Sequence, residues 1–109
     1  MKTKADKRAD VNARALLEEI LGKIPVRELE KLGHLEVSSP SRQGRVYLVP
    51  LSARGLVHVY DDREFVMSLC SHPVTRLPVL GVVLTHVLMI EGCEAEYLRT
   101  ANVFALARL

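Results

Sequence analysis

Between residues 15 and 24 the apolar side chains Leu16, Leu17, Ile20, Leu21 and Ile24 recur at the spacing of one helical face. Asp6 or Asp10 can cap the start of this helix, and Gly22 followed by Pro25 ends it. The stretch "PVRELEKLGHL" then predicts a short second helix. Val26, Leu29 and Leu32 share its face, and Gly33 stands where a left-handed C-cap is wanted. "SSPSRQGR" (38–45) reads as a loop by composition.

From Arg45 the hydrophobic period changes to two. "RVYLVPL", "GLVHVYD" and "EFVMSLC" predict three strands, joined by tight turns at "SARG" (52–55) and "DDRE" (61–64). Pro50 suits an edge strand, because it cannot donate to a ladder. After the crossover "HPVTRLP", residues 79–91 predict a helix that is apolar nearly all round. It must therefore be covered by the sheet, the first helix or another copy of the chain. A break at Gly92 leads into a more polar helical segment, "EAEYLRTAN", and an aliphatic tail, "VFALARL". The expectation is an α+β fold with two N-terminal helices and a three-stranded antiparallel meander over about 45–70. A long apolar helix packs on that sheet, and a C-terminal helical segment follows. Residues 1–109 form a single small domain, with residues 1–8 a flexible basic arm.

Composition narrows the function. Hydrophobic residues are 49% and charged residues 26%, ordinary globular usage, but aromatics are only 5% and tryptophan is absent. The core must be aliphatic, which suits poorly any function that stacks bases or sugars on exposed rings. The longest apolar run, Leu77 to Ile90, is too short to span a bilayer, and the charged N-terminal stretch is expected to be neither a secretory signal nor an anchor. With two cysteines, the chain is expected in a reducing cytoplasm.

Net charge is +2, but positive charge gathers in two places. One is the N-terminal arm with Lys2, Lys4, Lys7, Arg8 and Arg14; the other holds Arg42, Arg45 and Arg54 around the first hairpin. These eight residues are the candidate phosphate contacts of a nucleic-acid-binding reading.

Cys70, His72, His86 and Cys93 are the candidate metal ligands. A strand hairpin, Cys-x-His, a loop, and a histidine leading into apolar helical residues resemble the SWIM-type zinc finger over about residues 45–92. The resemblance places Cys70 at the first ligand, His72 at the second in place of cysteine, and His86 at the last. Leu84 stands at the third, and leucine cannot bind zinc. Cys93 lies seven residues past His86, roughly 10 Å along a continuous helix. No zinc and no other cofactor is therefore expected. The resemblance implies binding of DNA or protein.

Cys70 with either histidine lacks an acid placed to orient the base, "DDRE" is first a turn, and no phosphate-binding glycine loop, HExxH or GxSxG occurs. The chain thus reads as a small non-enzymatic module acting through protein–protein contacts, self-associating through apolar surface that a fold of this size cannot hide. The alternative is a SWIM-like module binding nucleic acid through the basic residues above. No membrane and no small-molecule partner is indicated.

Overall fold

The computed structural model describes residues 4–70 and 77–106. Helix α1 (Lys4–Leu21) and helix α2 (Lys23–Leu32) are joined at Gly22, whose φ of 94° lies outside the range other residues adopt easily. Gly33 takes the left-handed C-cap and donates its N–H to the Leu29 carbonyl. Strands β1 (His34–Ser38), β2 (Arg45–Pro50), β3 (Val57–Asp61) and β4 (Glu64–Cys70) follow, then helix α3 (Val79–Thr100) and strand β5 (Asn102–Leu106). The five strands form one antiparallel sheet in sequence order.

One face of the sheet carries the core. Leu35 and Val37, Tyr47 and Val49, and Val57 and Val59 alternate inward along β1, β2 and β3. They join Leu17, Val26, Leu29, Val83, Val87, Ile90 and Tyr97 from the helices in a single cluster. At about 1.5–3 kcal/mol for each fully buried aliphatic or aromatic side chain, this cluster is the main force that holds helices to sheet. Helix α3 packs against α1 and β2. Asp62 and Arg63, with φ of 49° and 71°, make the tight two-residue turn between β3 and β4.

Several expectations are corrected. The sheet has five strands where the period-two segments suggested three. His34 and Leu35 begin β1 instead of ending the second helix, because the left-handed Gly33 stops that helix at Leu32. The expected C-terminal helical segment is the second half of α3, and the tail that follows pairs with β4 as β5. The helix breaks at Cys93 (φ −152°, ψ 57°), one residue beyond the glycine expected to break it. Pro50 lies in an interior strand, at its last position, where the ladder ends opposite His34. The basic arm is already helical from Lys4. The crossover around His72 falls outside the described residues, apart from Leu77 and Pro78.

Candidate functional site

Buried polar groups gather where the β1–β2 loop meets the second half of α3. Glu94, on the inward side of α3 after the break at Cys93, is 8% exposed. Its Oε2 accepts from Ser39 Oγ at 2.6 Å and from Tyr47 Oη at 2.5 Å, while its Oε1 accepts from Ser41 Oγ. Ser39 Oγ also accepts the backbone N–H groups of Ser41 and Arg42, which folds the loop around the carboxylate.

Burial works against the charge on Glu94, but the Ser39, Ser41 and Tyr47 hydroxyls outweigh it and hold the carboxyl below its ordinary range. The phenols move the opposite way. Burial, and then the Glu94 carboxylate, push Tyr47 well above the usual tyrosine value; burial and then Tyr47 do the same to Tyr97. The two rings meet edge to face at 6.2 Å between centroids, and Tyr97 Oη lies 2.9 Å from His86 Nδ1. Every buried polar side-chain atom among the described residues has a partner.

A second cluster closes the same end of the sheet. Arg45 holds Asp61 in a two-pronged ion pair, Nε to Oδ1 at 2.6 Å and an Nη to Oδ2 at 2.8 Å, and Arg42 adds a contact at 3.3 Å. The Arg45 hydrogen bonds hold Asp61 below the usual carboxylate range and raise Arg45 above its own. Gly44, with φ of 85°, lies against the Asp62 side chain and accepts the Asp62 N–H, locking the loop to the β3–β4 turn.

This arrangement sorts the expected residues. Among the candidate phosphate contacts, Arg45 is committed to Asp61, and Arg14 is shared between Glu18 and Glu30. Lys4, Lys7, Arg8 and Arg54 are exposed, and Lys2 lies outside the described residues. Among the candidate ligands, Cys70 ends β4 opposite Asn102 and His86 is buried beside Tyr97. Cys93 is exposed with its Sγ 3.5 Å from Met89 Sδ, and His72 is not described. Neither cysteine forms a disulfide, and the described residues contain no group of three or more His, Cys, Asp and Glu poised for a metal.

The serines, Tyr47 and Glu94 were not among the residues expected to matter. One signal was available: Val83, Val87, Ile90, Glu94 and Tyr97 recur at four and three residues, so Glu94 is a lone acid on an inward stripe. A carboxylate with both oxygens taken and a lowered pKa is a poor general base. Its arrangement clasps the loop to the helix. On the far face of the sheet, His58 Nδ1 lies 2.7 Å from the buried Ser68 Oγ. No helix among the described residues is long and apolar enough to cross a membrane. No protein-family model matches the chain, and comparison with curated proteins and with solved structures finds no match.

Proposed function

We propose that this protein is a small non-enzymatic interaction module that self-associates through its N-terminal helices. The observation that carries the reading is the outward half of the α1 apolar face. Leu17 is buried, yet Leu16 and Ile20 are 48% and 42% exposed, and Ile24 at the start of α2 is 70% exposed. Leu16 and Ile20 stand one turn apart on α1 and Ile24 lies just past the break at Gly22, and large aliphatic side chains left in water together mark an interface more often than chance exposure does. The saturated Glu94 carboxylate supports the non-enzymatic part. The test is mass in solution by size-exclusion chromatography with light scattering at tens of micromolar. The wild type should exceed the monomer mass, and the Leu16→Glu/Ile20→Glu double variant should run as a monomer. A monomeric wild type, or a double variant with unchanged mass, overturns the reading.

A second reading, SWIM-like nucleic-acid binding, draws on Lys4, Lys7 and Arg8. They are exposed and stand three and four residues apart on α1. Binding of duplex DNA that falls steeply with salt, and is lost in the Lys7→Glu/Arg8→Glu variant, is what it requires.

A further inference from the structure

Strand β1 is an edge strand, and its ladder with β2 shows which groups it leaves over. Leu51 donates its N–H to the Gly33 carbonyl and Ser39 donates to the Arg45 carbonyl, bracketing a register in which Leu35 faces Val49 and Val37 faces Tyr47. Alternate residues of an antiparallel strand bond to the same neighbour. Leu35 and Val37 therefore bond to β2, while the N–H and C=O groups of His34, Glu36 and Ser38 point to the other side. Among the described residues no strand pairs there. Such an edge is a template for an added strand.

Two adjoining hollows border this edge, and both are lined by Glu36 and Leu48. One, of about 450 Å³, adds Val46, Tyr60 and Asp62; the other, of about 320 Å³, adds Leu32 and Glu28 from α2. The carboxylates Glu28, Glu36 and Asp62 outnumber the single guanidinium on the lining, Arg63, and the imidazole of His34. The surface beside the open edge is thus apolar at its base and acidic at its rim.

We infer that the β1 edge takes an extended segment of a partner protein in which basic and apolar side chains alternate. Its main chain bonds to His34, Glu36 and Ser38. Its cations lie on the face that carries Glu36, within reach of Glu28 and Asp62 and with their aliphatic stems over Leu48, while its apolar side chains turn to the opposite face, toward Leu32 of α2. A second copy of this chain fits the edge badly. Glu36 is the central residue of β1, so antiparallel pairing of two β1 strands sets like charges against each other. The inference is independent of the α1 ridge proposed above for self-association.

The probe is the peptide Val-Lys-Val-Lys-Val-Lys-Val-amide capped at its N-terminus with fluorescein. The controls are its Lys-to-Glu counterpart and a version methylated on the main-chain nitrogen of the central lysine, which keeps the charge but removes a main-chain donor. Binding is followed by fluorescence anisotropy, and amide exchange by NMR, on the full chain carrying Leu16→Glu/Ile20→Glu so that association through α1 does not intervene. The lysine peptide should bind saturably and slow exchange at the Glu36 amide. Either control peptide, or Glu36→Lys, should weaken binding by about tenfold or more. Glu28→Lys, on α2 and outside the ladder, gives the same readout if Glu36→Lys proves poorly folded. No saturable binding, equal binding of a control peptide, indifference to both charge reversals, or protection of these amides by the chain alone at high concentration each overturns the inference.

Discussion

Replacing Glu94 by Gln keeps the shape of the buried side chain and removes its charge. Three hydroxyls donate to that carboxylate, and the costs of disturbing them differ. Tyr47 is fully buried, so its hydroxyl has no water to turn to, whereas Ser39 is half-buried and Ser41 exposed. A buried hydrogen bond to an ionised acceptor is worth about 1.5–3 kcal/mol, and glutamine retains one acceptor oxygen. A loss of about 2 kcal/mol at neutral pH is expected, a fall in Tm of about 8 °C for a chain of this size. The loss is also pH-dependent with a definite sign. The Glu94 carboxyl lies below its ordinary value of 4.5 in the fold, so its stabilisation is complete above that value. It disappears as pH falls through the folded value. Asp61 titrates in the same direction in both proteins, so the difference between wild type and variant isolates Glu94. Urea denaturation of both at pH 7 and in steps down to about pH 3 measures it, with the gap narrowing below about 4.5. Equal stability at pH 7, or a gap that stays constant to pH 3, refutes the account of the clasp.

Val83 is fully buried on α3 and Arg99 is exposed beside Glu96, so Val83→Asp should cost several kcal/mol and Arg99→Ala about 0.5 kcal/mol or less, read as Tm shifts. Asp61→Asn removes the charge that holds Arg45, whose side chain is only 11% exposed, and should cost about 2 kcal/mol by urea denaturation at pH 7. Elemental analysis of the purified protein should find no stoichiometric zinc, and a chelator should leave Tm unchanged, because Leu84 stands in a ligand position of the resemblance and His86 bonds to Tyr97. One zinc per chain, lost together with the fold, would contradict this.

Where the hydrophobic period is sustained, the chain declares its elements. The meander 45–70, the helix opening at Val79 and the paired N-terminal helices are all legible from residue spacing. The strands that escaped are short and depend on distant partners. β1 offers only Leu35 and Val37 as an alternating pair, directly after a helix with no intervening loop. β5 begins one residue beyond α3, and its pairing to β4 spans the whole of that helix. Strand preference reflects a neighbour's surface more than the local residues, so such segments cannot be read in isolation. The apolar face of α1 fails differently. Spacing places Leu16, Leu17, Ile20 and Ile24 on one arc, but the core takes only the part centred on Leu17. Periodicity gives the direction of a helical face and not the width of what covers it.

The cysteine and histidine cluster and the Glu94 clasp show the same limit from the side of chemistry. Soft side chains attract attention because few residue types bind metals, yet His86 is used here as a buried hydrogen-bonding partner of Tyr97. The carboxylate that carries most of the buried polar interaction lies eight residues further along the same helix, in a segment whose composition suggests a solvated surface. Its partners come from residues 39, 41 and 47, more than fifty positions away in two cases. Nothing in their local spacing marks two loop serines as donors. What marks the site is the acid itself, set on a stripe otherwise made of Val83, Val87, Ile90 and Tyr97. A charge at such a position must find donors or forfeit several kcal/mol. The hydroxyl-rich loop "SSPS" supplies two of them, Ser39 and Ser41. The lone inward acid can be read from the helix, whereas its serine donors follow only from the fold that joins them.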